Sequence, residues 1–115
     1  MAVYTVDDHF VGKPAAVRKI YDKLVSMCQK FGEVTEDPKK TSIHFNRSSA
    51  FAGVEVRKEY LLVNIKSDEP IKSPRIPKSE RLSRKRFHQK VKLSSVKEVD
   101  AALKGWLKAA YGLSE

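Results

Sequence analysis

Cysteine is nearly absent from this chain of 115 residues. Cys28 stands alone, so no intrachain disulfide can form and nothing points to an oxidising compartment. Long apolar runs are missing as well. The longest are a few residues, as in Tyr60-Leu61-Leu62-Val63, far below the roughly 20 that cross a bilayer, so neither a transmembrane helix nor a membrane partner is expected. The opening Met1 to Asp8 has early acids, no basic region and no apolar core, which argues against a secretory signal and makes the cytoplasm the expected location. Among five glycines there is no Gly-rich phosphate loop. His9, His44 and His88 are far apart, and no pair stands at a metal-ligand spacing, so no metal and no cofactor is expected. Should any two converge, His44 and His88 are the pair, because both take outward positions on expected strands. No Ser, His and acid set stands out. Glu36-Asp37-Pro38 followed by Glu55-Val56-Arg57 is a distant echo of a metal-dependent nuclease, with Arg57 where a lysine belongs. The chain does not read as an enzyme.

Acids are also scarce, 14 against 23 Lys and Arg, for a net charge of +9. The excess is local. Lys72 to Lys92 holds nine Lys or Arg and one acid, Glu80, and so carries +8 of that +9. A charge this concentrated places a positive field on one part of the fold, where an anionic partner can dock.

Two segments have helical periodicity. Pro14, with its fixed φ and missing N–H, suits a first helical position, and Val17, Ile20, Tyr21, Leu24, Val25, Cys28 and Phe31 follow at spacings of three and four up to Gly32. Cys28 on that stripe reads as a small buried hydrophobe. The second helix is expected from Ser95, with Glu98 completing a capping box, to about Tyr111 before Gly112. It puts Val96, Val99, Leu103, Trp106, Leu107 and Ala110 on one face, which makes Trp106 core rather than a ligand platform. Ahead of the first helix, Thr5-Val6-Asp7-Asp8 resembles a capping signal, Gly12 can end a short turn and Phe10 is a packing anchor.

Between the helices the period is two. Strands are expected over 41–47, 51–57, 60–66 and 86–93. In the last, Phe87, Val91 and Leu93 point one way while Arg86, His88, Lys90 and Lys92 point the other. The stretch 67–85, with Pro70, Pro74, Pro77 and several serines, cannot be a central strand and is expected as a long basic loop with a helical turn near Ser79 to Leu82. No internal repeat is present.

Taken together, Val6-Asp7-Asp8-His9-Phe10-Val11-Gly12-Lys13-Pro14, Ile43-His44-Phe45 with Phe51-Ala52-Gly53-Val54, Ser73-Pro74-Arg75-Ile76, and Val99-Asp100 through Trp106-Leu107 to Ala109-Ala110-Tyr111 resemble a family of small bacterial domains catalogued as a domain of unknown function, number 5655. The resemblance implies one α+β domain over nearly the whole chain and brings no activity, cofactor or catalytic residue.

The expected fold is therefore α+β, a single domain over 1–115: an antiparallel meander of about four strands with the N-terminal and C-terminal amphipathic helices packed on one face. The expected function is a non-enzymatic binding module for nucleic acid or another polyanion, carried by Arg75, Arg81, Arg84, Lys85, Arg86, His88, Lys90 and Lys92. Phe87 faces inward, so the row lacks interleaved aromatics. Asn46, Tyr60, Asn64 and Lys66 join the same sheet face if the register allows. The alternative is a protein-interaction or self-association module using an open sheet face or edge, and a metal-dependent hydrolase ranks below both.

Overall fold

The computed structural model describes residues 4–69, 71, 73–76 and 78–114. Met1 to Val3, and Pro70, Lys72 and Pro77 of the expected loop, lie outside the described residues. A 3-10 turn, Asp7–Phe10, opens the chain. It has the expected reciprocal cap: Thr5 N–H donates to Asp8 Oδ2 at 2.9 Å and Asp8 N–H to Thr5 Oγ1 at 3.1 Å. Gly12, at φ +74°, then turns the chain into helix α1, Ala15–Gln29, with Pro14 at its N-cap.

Among the described residues six strands follow in one antiparallel sheet rather than about four: β1 (Thr35–Pro38), β2 (Ile43–Asn46), β3 (Ala50–Val56), β4 (Leu61–Ser67), β5 (Lys78–Ser83) and β6 (Arg86–Leu93). Their spatial order is β1-β2-β3-β4-β6-β5. The two unexpected strands are the two edges. β5 replaces the predicted helical turn: Ser79 to Leu82 is extended, and Lys78 to Arg81 and Ser83 pair with β6, Leu82 being passed over by a register shift, in a hairpin closed at Arg84 and Lys85. Prolines and charges do not forbid a strand whose outer side needs no partner, and they blunt an edge against pairing with other chains.

Strand β6 alternates as its sequence requires. Phe87, Gln89, Val91 and Leu93 face the helices, Gln89, Val91 and Leu93 fully buried, while Arg86, His88, Lys90 and Lys92 face away. Leu61, Val63 and Ile65 of β4 and Ile43 and Phe45 of β2 add to the buried face. Strand β3 breaks its alternation once. Phe45 pairs with Ala52 and Asn46 with Ala50, so Phe51 is an extra residue, and the bulge turns its ring inward, edge-on to Tyr111 at 5.4 Å.

Both helices cover this one face. α1 buries Val17, Ile20, Tyr21, Leu24 and Cys28, and burial pushes the Cys28 thiol up to about 12, as for an inert core residue. The C-terminal helix begins later than Ser95. The Ser95 and Glu98 signal is real, with Ser95 Oγ accepting from Lys97 N–H and Glu98 Oε1 from Ser94 N–H. It caps only the 3-10 turn Val96–Glu98. Val99 leaves helical geometry at ψ 78°, and Asp100 caps α2, Ala101–Leu113, by accepting from Leu103 N–H at 3.1 Å. Leu103, Leu107, Ala110 and Tyr111 complete the core, with Trp106 partly buried against it. Among the described residues no helix is long and apolar enough to cross a membrane.

Candidate functional site

The face of the sheet away from the helices is assembled by register alone. Lys90 pairs with Asn64, Asn64 with Gly53 and Gly53 with His44, so these four lie in one row across β6, β4, β3 and β2. His88 pairs with Lys66 on one side and Glu80 on the other, and Lys92 with Leu62. Along β6 the outward residues repeat every second position, about 6.7 Å apart, so that Arg86 to Lys92 spans about 20 Å. The strand order thus widens one basic row into a surface containing Lys66 and Asn64.

Several cations away from the β6 row are held in ion pairs. Arg18 is paired with Asp7 and Asp22, Lys39 with Asp37, Arg57 with Glu55 and Arg75 with Asp100, at 2.8 to 3.2 Å. Among the described residues Arg84, Lys85, Arg86, His88, Lys90 and Lys92 make no ion pair. Lys92 instead rests its ammonium over the Tyr60 ring at 4.5 Å, which leaves the charge uncancelled. Partial burial, and then the neighbouring charge of Arg86, hold the Lys66 ammonium below its usual range, and it donates to Ser114 Oγ at 3.2 Å.

The expected eight residues do not all gather. Arg86, His88, Lys90 and Lys92 form the row, with Arg84 and Lys85 exposed at the hairpin turn beside it. Arg81 pairs with Phe87, on the parity of the helix-covered face, and its Nε donates to the Ser83 carbonyl at 3.2 Å. Arg75 lies elsewhere. Its guanidinium donates to both Asp100 carboxylate oxygens at 2.8 and 2.9 Å and to the Glu98 carbonyl at 2.6 Å, and it sits 5.7 Å from the Trp106 ring centre. It fastens the chain between β4 and β5 to the start of α2. Gln89, unremarked in the sequence, does similar work: fully buried, its amide donates to Ser67 Oγ at 2.9 Å and to the Glu69 carbonyl at 3.4 Å.

The carboxylate echo is divided. Glu36 accepts from the Tyr21 hydroxyl at 2.5 Å on the helix side, whereas Asp37, the partner of His44, and Glu55, next to buried Val54, lie on the other side, each already ion-paired, with Lys39 and with Arg57. His44 and His88 do line one depression on the open face. Three strand spacings separate them, about 14 Å, too far for one metal ion to bind both. Among the described residues no group of three or more His, Cys, Asp or Glu is placed to hold a metal.

That depression, of about 170 Å³, lies over Gly53 and is bounded by Ser42, His44, Glu55, Asn64, Lys66 and His88. Its signal in the sequence is a glycine inside a strand, which marks a place where something approaches the backbone closely. No curated protein and no solved structure matches the chain. The family model of a domain of unknown function, DUF5655, matches residues 6–114, from the N-terminal turn through both helices and the whole sheet, and the chain belongs to that family.

Proposed function

We propose that the chain is a non-enzymatic, cytoplasmic binding domain whose open sheet face and β5–β6 turn take up nucleic acid or another polyanion. The observation that carries this reading is the set of six basic side chains, Arg84, Lys85, Arg86, His88, Lys90 and Lys92, that the β6 alternation and the hairpin turn bring together and that make no ion pair among the described residues. A fold that leaves its cations together and unpaired on a helix-free surface bears a repulsion that an anionic partner relieves. Phosphates neutralised there release their condensed counterions, giving affinity without sequence preference and with a steep dependence on salt. An apolar protein partner has less to recognise. Among the described residues the exposed large hydrophobic side chains sit apart: Val11 in the link before α1, Leu82 on β5 and Val96 in the 3-10 turn before α2.

Binding of labelled single-stranded and duplex oligonucleotides, followed from low to moderate salt, tests the proposal. With four or five cations engaged, log K should fall against log salt with a slope of about −3 for single strands and −4 for duplex. The Arg84→Glu/Arg86→Glu double variant should lose at least about tenfold in affinity and give a flatter slope, since both changes remove phosphate contacts. Absence of binding at low salt, or unchanged affinity in the variant, overturns it.

A further inference from the structure

We infer that the hollow over Gly53 seats one unpaired nucleobase, so that the open face prefers single strands to duplex; this deepens the polyanion reading and rests on it. The walls of the hollow are set by register. His44 on β2 and Asn64 on β4 are the direct partners of Gly53 on either side, so their backbones stand two strand spacings apart, about 9.6 Å. Side chains rise roughly perpendicular to a sheet. A planar ring standing between two such walls needs about 3.5 to 4.0 Å of contact on each side, or 7 to 8 Å in all. The slot fits one ring and not two.

The floor is open because residue 53 has no side chain. A Cβ built there would meet only His44 Cδ2, at 3.6 Å, with no other atom within 4 Å. The imidazole therefore already leans over the floor, and the space between it and Asn64 is free. A volume of about 170 Å³ slightly exceeds the roughly 150 Å³ of a cavity that takes benzene. Polar groups suit a base better than a hydrocarbon. The Asn64 amide offers a donor and an acceptor side by side, Glu55 offers an acceptor at one end, and His44 offers a flat ring for stacking. At the other end stand Lys66 and His88, the beginning of the unpaired basic surface. A base in the hollow thus places its own phosphate toward the cations that hold the backbone. Duplex bases, already paired and stacked, cannot enter.

The experiment compares a single-stranded oligonucleotide with an abasic sugar-phosphate oligomer of equal length and charge, by fluorescence anisotropy at low salt. The base-bearing strand should bind the unmodified chain at least about fivefold more tightly, the lower end of what one stacked base contributes. Gly53→Val fills the hollow with a residue suited to strands. It should reduce the base-bearing strand to the affinity of the abasic one and leave abasic binding unchanged. His44→Ala, which removes one wall without filling anything, should lose most of the same discrimination, and thermal unfolding of both variants checks that the sheet persists. Equal binding of the two oligomers by the unmodified chain, or undiminished discrimination in folded Gly53→Val, overturns the base site while leaving the polyanion face standing. Failure of both oligomers to bind overturns both.

Discussion

Asp100 does two things with one carboxylate. Oδ1 accepts from the Leu103 N–H and so caps α2, while both oxygens receive the Arg75 guanidinium. The Leu103 N–H first, and Arg75 second, hold its carboxyl below the usual carboxylate range. The sign of the pH effect follows. The folded chain favours the ionised form, so the contribution is complete above the unfolded value of about 3.9 and is lost as pH falls through the lower folded value. Asp100→Ala removes the cap and leaves Arg75 without its carboxylate, and urea unfolding near neutral pH should show a loss of about 1 to 2 kcal/mol. Asp100→Asn keeps a capping oxygen but cannot ionise. Its stability should therefore fall less steeply than that of the unmodified chain between about pH 5 and pH 2, and parallel profiles would show that the charge contributes nothing.

Each helix is shaped by a glycine, and the two glycines call for opposite outcomes. Gly32, beyond the end of α1, has φ +147°, and a Cβ there would lie 2.5 Å from the Tyr111 hydroxyl oxygen. Gly32→Ala should destabilise by about 1 to 3 kcal/mol through backbone strain and displacement of that ring. Gly105 lies exposed inside α2 with nothing within 4 Å of its would-be Cβ, so Gly105→Ala should stabilise by about 0.5 to 1 kcal/mol. Denaturant midpoints of the two variants measure both signs, and equal shifts would refute the contrast. What was legible in the sequence divides along the same physical line. Elements that bury a face declare themselves: the stripe from Val17 to Cys28 and the alternation of Arg86 to Leu93 each match the structure. The edge strands do not, because Thr35–Pro38 and Lys78–Ser83 are held by backbone pairing and neither carries an alternating apolar face, the large hydrophobic Leu82 being exposed. The start of α2 was displaced for another reason. Ser95 and Asp100 both cap, and only the non-helical ψ of Val99 separates their turns. At the candidate site, the β6 row was visible because it is local. Arg75 lies away from the row because its partner lies 25 residues away, and the hollow has a glycine inside β3 as its signal but not its walls, because the strand order sets His44 and Asn64 beside Gly53.

At the scale of the whole molecule the sheet is a divider. One face is spent on two helices and the core, and the other carries a row of cations that, among the described residues, no ion pair holds. A net charge of +9 spread evenly would be screened piece by piece, but neighbouring positions on β4, β6 and the hairpin turn lie within or near the Debye length of about 10 Å at 0.1 M salt. In the unfolded chain the same charges move apart. Folding therefore concentrates them, and the repulsion acts against the native state. Raising salt from about 10 mM to about 150 mM shortens the Debye length from about 30 Å to about 8 Å, and the thermal midpoint should rise. Lys90→Glu, placed in the middle of the face between Asn64 and β5, exchanges repulsion for attraction toward Arg86 and Lys92. It should raise the midpoint at low salt, and the gain should shrink as salt is added. Lys108→Glu, on an exposed part of α2, serves as the control, removing the same formal charge away from the face. If the two substitutions shift the midpoint equally at low salt, net charge alone is responsible and the cations of the open face are not a concentrated field. If only Lys90→Glu stabilises, the surface that destabilises the isolated chain is the one an anionic partner would relieve.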